Sequence, residues 1–383
     1  MASSDDVLRD RLRTFLAEHG PGRAPPGEDG QWAWRRAWAR TLVDHGFAGP
    51  SWPRRWHGME LDLRQTVVYH EEMAVARVPG PPHPSLNMVG PTIIAHGTDA
   101  QRERFLLPML RGDEIWCQGF SEPEAGSDLP SLRTRAVPDG DEYVVTGQKV
   151  WTTLAHRSDW CFMLVRTGPD GSRQHGLTYL LVDMRSPGFE VRPMRTMGGN
   201  THFSELFLDG VRVPVANRIG EEDAGWHVTR TTLGHERAVT PLGKTVRYRS
   251  IVRDLHALAR RAGRADDSVV RQRLADAEIR ARVLQMLAQR ILAEALTRGE
   301  IGALASISRT MQARFEQELH EVAIDVLGAE GMLAAGALDR SKGRWLQGFL
   351  MSRAQTIGAG TTEIQRNTIG EQVLALPRDP AMP

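Results

Sequence analysis

The feature that most restricts the fold of this sequence is its hydrophobic period, which changes twice along the chain. Near the start, apolar residues such as Leu8, Leu12 and Phe15 recur at the spacing of amphipathic helices. The middle carries short runs of aromatic and β-branched residues bounded by Gly, Pro or Asp, a pattern typical of strands. Helical spacing then returns. The sequence therefore predicts a mainly α protein with a helical N-terminal domain (1–116), an antiparallel β middle domain (117–214) and a C-terminal antiparallel helix bundle (215–383).

The same patterns predict individual elements. Glycine is a natural helix stop, so a helix is expected to end at Gly328. Further helices are predicted over 62–75 and 99–110, and strands over 143–146, 160–165, 177–182 and 204–208. A helix over 278–296 places five apolar residues on one face, namely Ile279, Val283, Leu287, Ile291 and Leu296.

Composition excludes several classes of protein. The 383 residues include 48 basic and 47 acidic ones, whereas a nucleic-acid binder needs clustered positive charge. No apolar run approaches the roughly 18 residues that span a bilayer, and the first residues lack the basic and apolar regions of a signal peptide. The two cysteines, Cys117 and Cys161, fit neither a metal-ligand pair nor a disulfide framework. We therefore expect a cytoplasmic protein that is not built around a metal.

A loop of small and polar residues follows a predicted strand that ends at Phe120 and Ser121. Residues 122–123, Glu-Pro, favour a turn, and Ala125-Gly-Ser-Asp128 offers backbone N–H groups and a hydroxyl. Such a loop allows the close approach of a phosphate, but a simple β-turn explains the same residues. The sequence lacks the glycine fingerprints of Rossmann and P-loop sites, the nucleophile elbow of α/β-hydrolases and the paired histidines of zincins.

A second segment, Gly147–Thr153, places an aromatic residue and two hydroxyls at a strand end. Trp151 suits packing on the face of a flat conjugated ring, with a threonine hydroxyl or N–H near a ring heteroatom. The alternative is a buried core tryptophan with threonines at the strand edge.

Two further segments lie in the last part of the chain. Gly358-Ala-Gly360 leads into a helix opened by Thr361 and Thr362, whose free N–H groups favour an anion, although an ordinary capped helix has the same sequence. Residues 235–237, His-Glu-Arg, place a candidate base beside a cation. Such a charged triplet on a helix is more often solvated surface.

Taken together and in this order, these segments resemble the flavin-dependent acyl-CoA dehydrogenase family, over nearly the whole chain. Any one segment is weak evidence, but their joint order and spacing are specific. The segments that carry the resemblance are Gly49–Pro53, Gly90–Gly97, Ser121–Asp128, Gly147–Thr153, Leu208–Pro214, Gly225-Trp226, Thr232–Arg237 and Thr361–Arg366.

The resemblance implies an FAD site between the middle and C-terminal domains. By position, Phe120 and Ser121 would border the flavin ring, Ser127 would meet the pyrophosphate, and Trp151 and Thr153 would flank the ring near N5. A second subunit completes the site in this family. The residues expected near the cofactor from that part of the fold are Thr361, Gln365 and Gly328.

The resemblance also implies partners. The substrate would be a thioester of CoA or an acyl carrier, and the electron acceptor a protein such as an electron-transfer flavoprotein. A homodimer or homotetramer is expected, or pairing with a homologous chain. Small residues at Gly358 and Ala359 favour a branched or bulky acyl group.

The catalytic base departs from the commonest family pattern. Many members carry it as Glu in a Glu-Gly-Thr triplet, which reads Ala359-Gly-Thr361 here. Ala359 cannot take a proton, although its N–H could donate to the thioester oxygen. A minority branch carries the base in a Glu-Arg pair on a third-domain helix, and Glu236-Arg237 matches that pair. We therefore predict that Glu236 removes the α-proton and that Arg237 binds or orients the CoA portion.

A second departure concerns the adenine half of the cofactor site. Asp325 stands where a neutral Gln is frequent, and Arg271 and Gln272 stand near the usual Arg and Phe-Gly pair. These changes fit bacterial branches whose subunits pair as unlike chains. Two alternatives to a self-sufficient dehydrogenase therefore remain: a half-site subunit of a heteromeric enzyme, and a flavin monooxygenase on the same scaffold.

Overall fold

The structure, a computed structural model, describes residues 4–80, 86–298, 302–333 and 340–378. Within these ranges, the side chains of 235–243, 246 and 340–342 are not described. The chain divides into two compact units, Met1–Glu236 and Arg237–Pro383. The predicted succession of helices, strands and helices is confirmed, whereas the predicted domain boundaries stay predictions.

In the described residues up to Arg111, five α-helices precede the strands. Two of them start where the sequence provides a capping box: Asp62 accepts from the Gln65 N–H before α3, and Thr98 from the Gln101 N–H before α5. Such reciprocal bonds satisfy N–H groups that have no partner inside the helix. The helices predicted over 62–75 and 99–110 are confirmed as α3 and α5. The bounds are α1 Ser4–His19, α2 Glu28–Asp44, α3 Leu63–Val75, α4 Leu86–His96 and α5 Asp99–Arg111.

An eight-stranded sheet follows in the same unit, in the order β6-β7-β3-β2-β4-β5-β8, with β1 beside β4. Its pairs are antiparallel except that β1 and β2 each run parallel to β4. The four predicted strands are confirmed as β3, β4, β5 and β7. The bounds are β1 Trp116–Gly119, β2 Arg135–Asp139, β3 Glu142–Thr153, β4 Trp160–Arg166, β5 Leu177–Asp183, β6 Phe189–Met194, β7 Phe203–Pro214 and β8 Arg218–Ile219.

Strands β4 and β5 form the centre of the core of this unit. β4 is buried along its whole length, and β5 is buried up to Val182. In β4, the even-numbered residues Phe162 and Leu164 pack with the N-terminal helices. The odd-numbered residues Cys161, Met163 and Val165 lie on the other face and pack with β3 and β7. A strand buried on both faces reads as a continuous apolar run, as the sequence does here.

The second unit consists of helices. α6 is 37 residues long; it begins in the first unit and continues into the second. α8 ends at Gly328 as predicted, where a φ of 58° with a ψ of −134° suits glycine alone. The bounds are α6 Gly225–Arg261, α7 Ser268–Arg298, α8 Leu304–Leu327, α9 Arg340–Ser352 and α10 Thr362–Thr368. No helix of the described ranges is long and apolar enough to cross a membrane.

The apolar face predicted for α7 is largely exposed in the single chain, so most of it does not pack within the unit. Ile279 is 59% exposed, and Val283 and Leu296 are exposed as well. The opposite, alanine-rich face packs inward because small side chains allow close helix contact. Its buried residues are Ala277, Ala281, Leu284, Ala288 and Ala295, and Ile291, one of the five predicted residues, is buried with them instead of lying on the exposed face.

A buried carboxylate joins the first and third helices. Glu72 of α3 is only 4% exposed and accepts hydrogen bonds from Arg9 (2.7 Å) and from Arg13 (2.9 and 3.1 Å) of α1. Burial alone would raise the pKa of Glu72, but the hydrogen bonds and charges of the two arginines outweigh it and hold the pKa below its usual value. The charged form is therefore the one that the folded chain stabilises.

We predict that Glu72→Gln lowers the free energy of unfolding by about 2 kcal/mol at neutral pH, because it removes charge-assisted hydrogen bonds from a buried site. A carboxylate with a lowered folded-state pKa stabilises the protein above its unfolded pKa, and this stabilisation is lost as pH falls through the folded pKa. The difference between wild type and variant should therefore shrink below about pH 4. Urea denaturation at a series of pH values measures it, and a constant difference down to pH 3 would contradict the charge argument.

Candidate functional site

The structure brings two of the predicted site segments into direct contact. β1 ends at Gly119, so Phe120 and Ser121 follow the strand, and Trp151 and Thr153 lie at the end of β3. The Val150 N–H donates to the Ser121 carbonyl at 2.9 Å. Segments separated by about thirty positions in sequence thus form one edge of the β-domain.

The loop after Ser121 begins with a closed turn. Glu122 and Ala125 exchange two backbone hydrogen bonds, at 3.0 and 3.1 Å. Beyond it, Gly126, Ser127 and Asp128 are exposed, and a Cβ at Gly126 would meet no atom within 4 Å. The turn predicted at 122–123 is confirmed, and open space remains in front of the backbone that follows it.

Buried Arg166 holds the far end of this loop. Its guanidinium donates to the carbonyls of Leu132 (2.9 Å) and Pro130 (2.6 Å) and to the Ser172 hydroxyl (2.9 Å). Asp128 pairs at 2.6 Å with exposed Arg173. The loop is therefore fixed at both ends, while Ser127 between them stays exposed.

Trp151 is an exposed tryptophan in an unusual backbone conformation. Its side chain is 60% exposed, so the alternative of a buried core tryptophan is wrong. Its φ of 59° lies in the left-handed region, which costs a bulky L-residue roughly 1–2 kcal/mol. A register irregularity of the β3–β7 pairing falls between Lys149 and Thr152 and contains this residue. Strain of this kind is often found at functional sites.

The side chain of Phe120 lies apart from this surface. It is buried in the core, in edge contact with the rings of Phe162 and Tyr179 at 5.7 and 5.9 Å. Ser121 and Thr153, by contrast, are half-buried at the site edge. The Phe120 side chain is thus a core residue, and its carbonyl accepts a hydrogen bond from the Lys149 ammonium at 3.1 Å.

Sequence reasoning missed a buried ion pair beneath the two segments. The Lys149 ammonium is fully buried and donates to the Glu122 carboxylate at 2.8 Å. Burial lowers the pKa of Lys149, and the charge of Glu122 opposes this shift. Burial would raise the pKa of Glu122, but Lys149 and hydrogen bonds from Thr134 and Arg133 hold it below its usual value. The sequence marks Lys149 only as one of three lysines among 48 basic residues, which does not identify its partner.

The remaining predicted residues of the second unit lie around the start of α10. Thr361 is its N-cap, and its hydroxyl accepts from the Ile364 N–H at 3.3 Å. Gln365 is buried. Its side-chain amide nitrogen packs so close to Gly360 that a Cβ on that glycine would be only 2.4 Å from it. Ala359 is exposed with a φ of 54°. Gly328 lies elsewhere in this unit, at the end of α8.

An arginine of α8 supports the loop that carries Ala359. Arg309 donates to the carbonyls of Gln355 (2.7 Å) and Gly358 (2.6 Å). Asp325, at the other end of the same helix, pairs with Arg273. Its carboxylate is therefore engaged within the unit.

The predicted base lies outside the described side chains. Glu236 and Arg237 belong to the backbone of α6, and Glu236 follows Thr232 by one helical turn. Thr232 is buried, and its hydroxyl contacts those of Thr92 (2.9 Å) and Tyr179 (3.3 Å). The structure thus fixes the part of α6 that precedes Glu236 against α4 and β5.

The edge built by Ser121, Ser127, Trp151 and Thr153 fits a flavin cofactor. An exposed indole offers a face for a conjugated ring, and the half-buried threonine and serine offer hydrogen-bonding groups near its rim. The open backbone from Gly126 onward allows a phosphate to approach. The donor set therefore matches a ring joined to a pyrophosphate.

Family models match the chain in three consecutive pieces. The acyl-CoA dehydrogenase N-terminal domain matches residues 3–113, the middle domain 117–211 and the C-terminal domain 223–374. Together they cover nearly all of the chain.

Individual relatives agree with these matches. Acyl-CoA dehydrogenase IpdE1 of Mycobacterium tuberculosis is 40% identical, with 98% of each chain covered. Among solved structures, the ChsE4-ChsE5 complex from Mycobacterium tuberculosis aligns with 32% identity and a TM-score of 0.82, and the Tcur3481-Tcur3483 steroid ACAD with 28% identity and a TM-score of 0.84. Each alignment covers 99% of both chains. The chain belongs to the acyl-CoA dehydrogenase family of FAD-dependent oxidoreductases.

Proposed function

We propose that this chain binds FAD and catalyses the α,β-dehydrogenation of a bulky acyl-CoA thioester to a 2-enoyl-CoA. The observation that carries the proposal is the edge at Ser121 and Trp151, where an exposed, strained tryptophan adjoins an open loop within a member of this family. FAD, when bound, supplies a hydride acceptor at its N5 atom. The chain's own residues must hold the ring, orient the thioester and take the α-proton.

The cofactor contacts are assigned by position and chemistry. Trp151 and Thr153 flank the ring, Ser121 lies at its rim, and Ser127 meets the pyrophosphate through its exposed hydroxyl. Phe120 is assigned to the border of the ring through its backbone, because its side chain is buried in the core. Thr361 and Gln365 serve a cofactor site that a second subunit completes.

Glu236 is the proposed base. An α-proton of a thioester is too weakly acidic to leave without a positioned carboxylate, and Ala359 offers none. Partial desolvation would raise the pKa of such a carboxylate toward the working pH. The Ala359 N–H, held in an exposed loop that Arg309 supports, is a candidate donor to the thioester oxygen as negative charge develops. Arg237 orients the CoA portion.

A bulky acyl group is supported by the loop and by the relatives. Gly358 and Ala359 place no large side chain where many members carry the glutamate base. The Tcur3481-Tcur3483 relative is itself described as a steroid ACAD. A polycyclic, steroid-like acyl thioester is therefore the substrate class that we propose.

Pairing with a homologous chain is the second element of the proposal. The exposed apolar residues Ile279, Val283 and Met286 follow helical spacing on the outer face of α7. Isolated exposed apolar residues are ordinary, but an aligned stripe favours a subunit interface. One similar structure is described as the ChsE4-ChsE5 complex, and the name of another, the Tcur3481-Tcur3483 steroid ACAD, also joins two protein names. The chain is then one subunit of a heteromeric dehydrogenase, and the half-site alternative corresponds to a subunit that lacks part of the FAD site.

We predict that Trp151→Ala weakens FAD binding by at least about tenfold, since the variant loses an aromatic contact with the ring. Equilibrium titration of the apoprotein with FAD measures the dissociation constant. Val137→Ala, at another exposed apolar position of the β-domain, is the control and should bind as wild type does. Equal affinity in the Trp151 variant would contradict the assigned ring position.

We predict that Glu236→Gln retains FAD and ligand binding but slows substrate-dependent flavin reduction at least about a hundredfold, because the amide cannot accept the proton. Stopped-flow bleaching of the flavin by a panel of acyl-CoA thioesters, including steroid side-chain thioesters, measures the rate. Glu103→Gln, at an exposed site of α5, is the control. Near-normal reduction in the Glu236 variant would rule out this base.

We predict that Ile279→Glu shifts the assembled protein toward smaller species, because a charge in an apolar interface is desolvated without a partner. Sedimentation velocity of the protein with its copurifying chains measures the shift. Val7→Glu, which charges an isolated exposed position of α1, should leave assembly unchanged. An unaltered distribution in the Ile279 variant would exclude this face of α7 as the interface.

A further inference from the structure

We propose that the buried pair Lys149–Glu122 is a positioning device that sets the spacing and conformation of the two backbone segments facing the flavin. This role rests on the proposed function, because it assigns a purpose to contacts beneath the FAD edge. Neither side chain is expected to touch the cofactor.

Lys149 joins three segments through one atom. Its ammonium donates to the Phe120 carbonyl at 3.1 Å, to the Leu164 carbonyl of β4 at 2.7 Å and to Glu122 at 2.8 Å. An ammonium has three donors, and all three are used here. The end of β3 is thereby tied to the start of the cofactor loop and to the centre of the sheet.

Glu122 completes the connection on the other side. Its carboxylate accepts from the N–H groups of Arg133 (2.6 Å) and Thr134 (2.8 Å), which lead into β2, as well as from Lys149. Glu122 also closes the turn with Ala125. The loop that carries Ser127 is therefore anchored at its first residue by a charge that the core fully satisfies.

The Lys149–Glu122 pair is close in sequence to Trp151, the residue with the strained backbone. Trp151 follows Lys149 by two positions, and Val150 between them donates to the Ser121 carbonyl. A left-handed backbone at a tryptophan persists only when neighbouring contacts over-determine it. The Lys149 side chain below and the Val150 bond beside it provide those contacts.

Stability alone does not explain the pair. Replacing a buried ion pair by apolar side chains of similar size is often neutral or stabilising, so such a pair is weak evidence of a stabilising role. The chain otherwise uses arginine for nearly all its positive charge, with only three lysines. A compact ammonium with three acceptors fits this buried position, whereas the five donors of a guanidinium would not all find partners.

The test is the double variant Lys149→Met with Glu122→Gln, which removes both charges at similar volume. We expect a folded protein whose dissociation constant for FAD rises at least about tenfold and whose bound-flavin absorption band is altered. In the apoprotein, hydrogen exchange at the Val150 amide should accelerate at least about tenfold. Wild-type affinity, spectrum and exchange in the double variant would show that the pair is structural only.

Glu72→Gln is the matched control, since it also breaks a buried carboxylate contact in the same unit but lies among α1 and α3. It should lower the melting temperature while leaving FAD affinity, spectrum and Val150 exchange unchanged. Parallel losses of stability and FAD affinity in both variants would overturn the positioning role.

A more conservative variant tests the same role if the double variant does not fold. Glu122→Asp keeps the charge but draws the carboxylate back from Arg133 and Thr134, and we expect a folded protein with FAD affinity lowered several-fold. Unchanged affinity and exchange in that variant would also overturn the role. If wild type itself binds no FAD, the proposed function fails and this role with it; if wild type and both variants bind FAD equally, only the positioning role fails.

Discussion

The ammonium of Lys149 is the point at which the core of the β-domain and its candidate site meet. A buried charge must have every donor satisfied, and three oxygens satisfy this one: two from the loop after β1 (Phe120 and Glu122) and one from β4 (Leu164). That requirement fixes β3 against β4 and against the loop after β1. The hydrogen bonds of Lys149 therefore hold the strands together and also fix the edge that faces the proposed cofactor.

The buried contacts under the site edge hold its backbone in place, and this allows two of its side chains to stay exposed. Trp151 is exposed and strained, and Ser127 is exposed in a loop whose two ends are held by Glu122 and Arg166. An exposed aromatic side chain in a mobile loop would collapse onto nearby apolar surface. Here the backbone is over-determined, so the side chain stays available for a ligand at little additional entropic cost.

Much of the fold could be predicted from local pattern, because β4, β5, α3 and α5 each carry their own signal of period and capping. The predicted site segments were found for a similar reason, since turn and hydroxyl residues cluster in them. The Lys149–Glu122 pair could not be predicted: its two members lie 27 positions apart and meet only after the sheet forms. Nor could the burial of the Phe120 side chain, which depends on the rings of Phe162 and Tyr179 from two other strands.

The outer face of α7 shows a different limit of prediction from hydrophobic periodicity. Periodicity identifies which residues of a helix share a face, but it cannot say whether that face packs within the chain or against another chain. In α7 the inward contact uses alanines, which contribute little hydrophobicity but allow close approach, while Ile279, Val283 and Met286 remain outside. A helix with apolar residues on both faces is explained by two packing partners. In the assembly that we propose, the second partner of α7 is a subunit, and the hydrophobic pattern of this helix would then encode assembly as well as folding.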